Sequence, residues 1–434
     1  MSPALQLERS RSPRNGLIVL FAINILNFYD RQVLGALAEP LRKEFHLNDT
    51  EIGWLSTSFT LVYALIGVPI GRLADSHSRK KLLAAGVVLW SLLTASGALA
   101  TNYLSLLLCR LGVGVGEAVC APVGTSWIGD LFPAEKRARA LSLFMLGVPI
   151  GGALSYFLSG PTAQAFGWRM ALALAAAPAI LLVPALLMVS EPQRGASEKR
   201  GVPAAGKQSP WTVLRIPTLW WIIASGAVLN FMLYALGAFM AAFFSRVHGL
   251  TVAESGIATG ITYGTGGLLG GLLAGAWGDR IVHRRKDGRM LSAAVTALLA
   301  MPFSYFAILQ PAGSAPLALG LMALTYALCN SYYGFVYSSI QDIVPPALRG
   351  TTMAIYFMIM YLGGASFGPL ITGNLSDRLA RQAAHAAGSP VITEAARAAG
   401  LQQAMLIIPF LSVVLAAVLY AGSRTIGKDI ENRV

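Results

Sequence analysis

Twelve runs of about twenty mostly apolar residues follow one another along this chain, and ~20 such residues are what a helix needs to cross the hydrocarbon of a bilayer. They lie near 16–37, 51–71, 82–100, 103–126, 140–160 and 168–189, then near 218–245, 253–276, 290–310, 316–339, 351–373 and 402–422. Backbone facing lipid must satisfy its own hydrogen bonds, so each run is expected to be a helix. A barrel is excluded, because the runs are long and uniformly apolar and lack period-2 alternation. The expected fold class is all-α integral membrane, with twelve transmembrane helices. Only 12% of the 434 residues are charged and 55% are hydrophobic, against ~25% charged in a soluble domain. That balance excludes a soluble enzyme, a disordered chain and a disulfide scaffold.

The net charge of +13 would suggest a nucleic-acid partner in a soluble protein. Its distribution says otherwise. With both termini on the cytoplasmic side, 24 of the 33 Lys and Arg fall on that side, 7 on the other and 2 inside spans. This asymmetry is the positive-inside signal of a membrane protein. No nucleic-acid role is expected. No cleavable signal peptide is expected either, since the polar start MSPALQLERSRSPRN leads into a full span.

Two interruptions are longer than the rest. Residues 190–217 form a polar Pro/Gly-rich linker, which divides the chain into an N-terminal six-helix bundle, 1–189, and a C-terminal one, 218–434. Residues 374–400 carry Arg378, Arg381 and His385 at helical spacing and are expected to extend the last helix beyond the membrane. Cys109, Cys120 and Cys329 are scattered among the spans, so neither a disulfide nor a metal site is expected. No cofactor is expected.

The halves repeat one another. Gly71-Arg72-Leu73-Ala74-Asp75, followed by Arg79 and Lys80, returns as Gly275-Ala276-Trp277-Gly278-Asp279, followed by Arg280, Arg284 and Arg285. Asp130-Leu-Phe-Pro133 with Arg137 returns as Asp342-Ile-Val-Pro345 with Arg349. The offsets, 204 and 212, are nearly constant. Ordered signatures on the same side in both halves indicate a parallel repeat about an axis along the membrane normal.

A charge at mid-bilayer costs several kcal/mol, roughly 2.5–3.5 on insertion scales, so it marks function by default. Four charges stand clearly inside spans: Asp30 and Arg31 in the first, Arg110 and Glu117 in the fourth. Arg110 and Glu117 are two turns apart and share a helix face, and Asn24, Asn27 and Arg31 share a face of the first span. Two acids and two bases can form facing ion pairs, which a low-dielectric bundle tolerates better than isolated charges. Met322 and Cys329 occupy the equivalents of Arg110 and Glu117, so the second half lacks the network. A carboxylate beside an arginine can carry a transported proton, and Asp30 and Glu117 are the only mid-span carboxylates. All five histidines lie outside the spans.

The C-terminal half offers a different chemistry. Tyr326, Asn330, Tyr333 and Tyr337 repeat at i, i+4, i+7 and i+11, and Asn230 and Tyr234 lie in the seventh span. Aromatic rings with polar tips suit an amphipathic ligand, and Arg31 or Arg110 suits its phosphate or carboxylate. Asn27, Asn230, Tyr234, Tyr326, Asn330, Tyr333 and Tyr337 join the two arginines as expected substrate-binding residues. The alternative is an interhelical core with satisfied hydroxyls. Gly363, Gly364, Gly368 and Pro369 are expected to bend or closely pack the eleventh span.

Gly71-x-x-x-Asp75-x-x-x-Arg79-Lys80 and its second copy resemble the loop signature of the major facilitator superfamily, over essentially the whole chain. The usual basic residue after the Asp is Ser76 here, and the usual Gly before the Arg is Ser78. The resemblance implies two pseudo-symmetric six-helix bundles that rock about a central cavity in alternating access. It also implies gating contacts at Asp75, Arg79, Asp279, Arg280, Asp130 and Asp342. Asn27-Phe28-Tyr29-Asp30-Arg31, then Glu39-Pro40-Leu41-Arg42, then Gly53-Trp54-Leu55-Ser56-Thr57-Ser58-Phe59, and Arg110 through Gly116-Glu117-Ala118 are similar to the spinster subfamily. That similarity implies that Asp30, Arg31, Arg110 and Glu117 couple proton and substrate. It implies an amphipathic lipid substrate of the lysophospholipid or sphingosine-1-phosphate type, and a monomer in a bacterial inner membrane. The first span is also similar to organic anion symporters of the same superfamily, which keeps a sugar acid or small carboxylate open as the cargo. An intramembrane enzyme is disfavoured because no nucleophile or metal constellation lies at membrane depth, and a lipid sensor because the expected tails, about 15 and 12 residues, are short for a signalling segment.

Overall fold

A computed structural model describes residues 13–194, 210–282, 285–345 and 348–431 of the chain. Among these, eleven helices are long and apolar enough to cross a membrane. They are Pro13–Ala36, Asp49–Ala74, Tyr103–Leu131, Glu135–Phe166 and Trp168–Met188 in the first half. In the second they are Pro217–His248, Val252–Trp277, Gly288–Ile308, Ala312–Ile343, Arg349–Ala386 and Glu394–Glu431. The expected third span is the helix Arg79–Gly97, which begins three residues earlier than its apolar run and opens on Arg79, Lys80 and Lys81. Those three bases dilute its apolar character. It packs against the fourth and sixth spans like any other member of the bundle. The spans are numbered below in this order, first to twelfth. Much of the linker between the halves falls outside the described residues.

Local chemistry sets the helix ends. Asn48 and Asn102 form capping boxes with Glu51 and Ser105 at the starts of the second and fourth spans, satisfying amides that have no partner inside the helix. Gly249, at φ 70°, ends the seventh. The fourth span breaks after Glu117 and resumes at Cys120. Pro122 there has no N–H for the carbonyl of Ala118, so the helix bends at the turn that carries Glu117.

One expectation is corrected. Arg378, Arg381 and His385 belong to Phe367–Ala386, the continuation of the eleventh span, and not to the last helix. Gly388, at φ 69°, turns the chain there, and a new helix starts at Glu394 behind the Thr393 cap. The loop between the first two spans also contains a short helix, Ala38–Phe45.

The two halves meet along the first and seventh, second and eleventh, and fifth and eighth spans. The contact is closest toward the end that carries residues 36–49, 248–252 and 386–394. A Cβ on Gly160 would stand 3.0 Å from Gly256 Cα, and a Cβ on Gly53 would stand 2.6 Å from the carbonyl oxygen of Pro369. Only glycine admits such an approach. The opposite end is looser. A Cβ on Gly67, Gly71, Gly271 or Gly275 would meet nothing within 4 Å. There Arg349–Met360 packs chiefly on the seventh and tenth spans, and Ala134–Met145 on the first and fourth.

Candidate functional site

The four mid-span charges converge. Arg31 Nη2 lies 3.4 Å from Glu117 Oε2, and Arg110 Nη1 lies 3.4 Å from Asp30 Oδ1. Each arginine of one span faces the acid of the other, so the first and fourth spans are pinned crosswise. Both distances exceed the ~2.7–2.9 Å of a tight charged hydrogen bond. The two acids differ. Asp30 also accepts a 2.5 Å hydrogen bond from Thr94 Oγ1, so both its oxygens are engaged. Glu117 has no exposed surface, and its Oε1 has no hydrogen-bond partner. Asn27 Nδ2, Arg31 Nε and Arg110 Nε are likewise buried without a partner.

Aromatic faces hold the guanidinium groups. Arg31 Cζ stands 4.3 Å from the ring centre of Tyr63, 4.7 Å from that of Phe28 and 5.4 Å from that of Phe59. The Phe59 ring also lies 4.9 Å from Arg110 Cζ, between the two cations. Such contacts contribute about 0.5–2 kcal/mol each, most when desolvated. Arg31 reaches across to the other half, where Nη1 donates to Tyr234 OH at 3.4 Å, and Nη2 lies 3.5 Å from Asn27 Oδ1. Arg31, Gln32, Ser56, Phe59, Thr60, Arg110 and Tyr234 line one small cavity at the centre of the molecule.

The expected tyrosine stripe divides. Tyr333 and Tyr337 are partly open, and their rings pack at 5.4 Å. Tyr326 packs against Tyr263 at 4.5 Å, at the contact between the halves. Asn330 Nδ2 turns back to the carbonyl of Tyr326 in its own helix. Asn230 is buried, accepts from Tyr333 OH at 3.0 Å and donates to the carbonyl of Gly226. Of the expected substrate residues, Arg31, Arg110 and Tyr234 meet at the cavity, while Asn230, Asn330 and Tyr326 are engaged within the C-terminal half.

The residues of the repeated loop signature pair within their own halves. Arg79 is buried and bonds Asp130 at 2.5 Å and Glu191 at 3.3 Å. Arg289 bonds Asp342 at 2.6 Å, and Arg280 is exposed. Asp75 and Asp279 lie on helices, but their side chains fall outside the described ones. Glu191 caps the third span from the linker, accepting from the amides of Arg79 and Lys80 and from Ser78 Oγ. Burial opposes ionisation of Glu191, but the Ser78 hydroxyl, the two amides and the Arg79 guanidinium outweigh it and hold the carboxyl below the ordinary glutamate range. A depressed pKa gives stability that is present above the unfolded value and is lost as pH falls through the folded one. Glu191→Gln is therefore expected to lower the thermal unfolding midpoint in detergent at pH 7. The gap to the parent protein should shrink as the pH is taken below about 4.

The bridges between the halves sit at the other end, where sequence reasoning placed no gate. Arg246, at the end of the seventh span, bonds Asp49 through two nitrogens at 2.8 Å and Glu39 at 2.5 Å. Arg42 joins Glu39 at 3.1 Å to Glu394 at 2.7 Å. Asp377 of the eleventh span accepts from the amides of Asp49 and Thr50 and from Thr50 Oγ1, at 3.0, 2.8 and 2.6 Å. A carboxylate from one half thus caps a helix of the other, where the N-terminal dipole favours negative charge. Charges at span ends are ordinary, so the sequence carried no signal that these six face each other.

Comparison with known proteins agrees with this architecture. The family model of the Major Facilitator Superfamily matches residues 20–369. An MFS-type efflux pump of Mycolicibacterium smegmatis is 30% identical over 362 residues, 83% of this chain and 84% of that protein. Human protein spinster homolog 1 is 28% identical over 401 residues, 87% of this chain and 76% of that protein. The crystal structure of a bacterial homolog of the human lysosomal transporter spinster, inward-facing and unoccupied, superposes with a TM-score of 0.85. It is 29% identical and covers 96% of this chain and 98% of that one. A family model spanning most of the chain, and a fold shared from end to end, make this integral membrane protein a transporter of the major facilitator superfamily that resembles the spinster proteins.

Proposed function

We propose that the protein is a proton-coupled carrier of an amphipathic anion, a lysophospholipid or sphingosine-1-phosphate type of molecule, working by alternating access. The observation that carries the reading is the placing of Arg31. It is held loosely by Glu117 in one half and by Tyr234 in the other, beside a cavity, with an unpartnered Glu117 oxygen and Asn27 amide next to it. Protonation of Glu117 would free Arg31 to take an anionic head group, since a guanidinium fork matches phosphate or carboxylate. Rings at Tyr333 and Tyr337 would receive the apolar part. Asp30, fully engaged by Thr94 and Arg110, acts as the fixed partner that holds the fourth span in register.

The positive-inside distribution supports cytoplasmic termini in a bacterial inner membrane. On that orientation the end closed by Arg246, Arg42 and Asp377 faces outward, and the looser end faces the cytoplasm. The signature residues Asp75, Arg79, Asp130, Asp279, Arg280 and Asp342 would then gate the cytoplasmic side in the opposite state. The lipid reading is tested by uptake into proteoliposomes under an imposed pH gradient. The panel holds a lysophospholipid, a sphingosine-1-phosphate analogue and small sugar acids. Gradient-driven movement of the lipids is expected. Transport of the sugar acids alone would replace the lipid reading with that of an organic anion symporter, and transport indifferent to the gradient would remove the proton.

A further inference from the structure

The eleventh span is not a continuous α-helix. Residues Tyr361–Ala365 form a π-turn between Arg349–Met360 and Phe367–Ala386. The amide and the hydroxyl of Ser366 both donate to the carbonyl of Tyr361, at 3.0 and 2.9 Å. Pro369 has no N–H for the carbonyl of Ala365, and Gly364 lets the turn sit directly on the backbone of Ala227 in the seventh span. A π-turn holds one residue more than the α-helix needs, and such turns gather at functional sites.

Tyr361, the first residue of this turn, touches two of the rings around Arg31, those of Tyr63 and Tyr234. Its ring centre is 5.4 Å from that of Tyr63, which carries Arg31 on its face. It is 6.0 Å from that of Tyr234, whose hydroxyl accepts from Arg31. Tyr63 belongs to the N-terminal half, while Tyr234 and Tyr361 belong to the C-terminal half. The other end of the turn is tied back to the N-terminal half, because Thr57 Oγ1 donates to the carbonyl of Ser366 at 2.5 Å.

We propose that Tyr361 is a positioning residue that couples the Arg31–Glu117 pair to the bend of the eleventh span. The idea deepens the proposed proton-linked reading and rests on it. When Arg31 leaves Glu117, the Tyr63 face and the Tyr234 hydroxyl lose their common cation. The Tyr361 ring wedged between them must then resettle. Because its backbone opens the π-turn, the extra residue shifts along the helix, changes the direction of Phe367–Ala386, and moves the Thr57–Ser366 bridge and the Asp377 cap that join the halves. The wedge acts through its ring contacts with Tyr63 and Tyr234, so phenylalanine, which keeps them and gives up only the hydroxyl that meets Tyr234, should retain most of it.

The test reads conformation without substrate. Nitroxide labels on cysteines replacing the exposed Ser76 and Thr351 report the separation of the second and eleventh spans at their shared end. They are placed in a background where Cys109, Cys120 and Cys329 are substituted, and the separation is measured by double electron–electron resonance. Glu117→Gln is expected to change the ratio of open to closed distances by about five-fold or more, the low end of allosteric coupling. Tyr361→Phe should keep that response. Tyr361→Leu and Tyr361→Ala should lose most of it, with Leu retaining bulk should Ala fail to fold. An equal Glu117→Gln response in the Leu variant overturns the role of Tyr361 and leaves Glu117 as the switch. No response in the parent background overturns the Glu117 reading and this proposal with it.

Discussion

Glu117→Gln is expected to reduce gradient-driven uptake to the level of empty liposomes while leaving substrate binding detectable. The glutamine fills the same space, so the cavity keeps its shape, but it has no charge with which to hold Arg31. It cannot gain and lose a proton, so Arg31 stays released and the gradient no longer drives the cycle. The variant leaves the Arg31 charge without its buried partner, a change that costs roughly 3–5 kcal/mol when nothing compensates. Here the released Arg31 borders the cavity and can turn into it, which places the loss at the lower end of that range. Asp30→Asn tests the other acid. Its amide can keep the Thr94 contact, so it should lower the unfolding midpoint and slow uptake in proportion at every pH, without abolishing the response to the gradient. If Asp30→Asn abolished the response and Glu117→Gln did not, the two roles would be exchanged.

Arg246→Ala is expected to open the end of the molecule that is now closed. Arg246 is almost wholly buried and alone bridges two acids of the opposite half. Removing it leaves Glu39 and Asp49 facing each other in a buried interface. Glu39 retains Arg42, while Asp49 retains only Ser376 among its side-chain partners. Both acids recover water when the halves part. Most of the roughly 3–5 kcal/mol of a broken buried pair therefore falls on the closed state alone. At 1.4 kcal/mol per factor of ten, this shifts the equilibrium by on the order of a hundredfold. A cysteine at Ser56, on the cavity wall, should then react with a membrane-impermeant maleimide applied from the side of the 36–49 loop. The parent protein should protect it. Unchanged protection in Arg246→Ala would mean that packing at Gly53, Gly160 and Gly256 holds the closed end by itself.

Much of the candidate site was legible because charge is so scarce in the spans. With only four charged side chains at membrane depth, Asp30, Arg31, Arg110 and Glu117 stand out in the amino-acid sequence itself. Helical spacing already puts Arg110 and Glu117 on one face. The crosswise pairing was not legible, since spacing within one helix says nothing about which face of a neighbour it meets. The aromatic shell of Arg31 was missed for a similar reason. Phe28, Phe59 and Tyr63 look like ordinary apolar lining, and only packing of the second span against the first and fourth turns their faces toward the cations. The Gly363-Gly364 and Pro369 signal left a bend and a close helix contact equally open, and it pointed neither to a π-turn nor to Tyr361 at its head.

The sequence by itself determined the membrane-spanning helical fold and the four charges inside the spans, and it set the expectation of a repeat and of a basic side. Each follows from local rules: hydrocarbon thickness, helix periodicity and the cost of charge in lipid. Tertiary structure alone decided which end of the molecule is closed and by which residues. Glu39 and Arg42 share the short helix Ala38–Phe45, Asp49, Arg246 and Glu394 stand at or near helix ends, and Asp377 lies within Phe367–Ala386 beyond the apolar run, all places where a charge costs little and is common. They become a latch only because packing brings them within hydrogen-bond distance, and that depends on how the two halves are tilted, a property no single segment encodes.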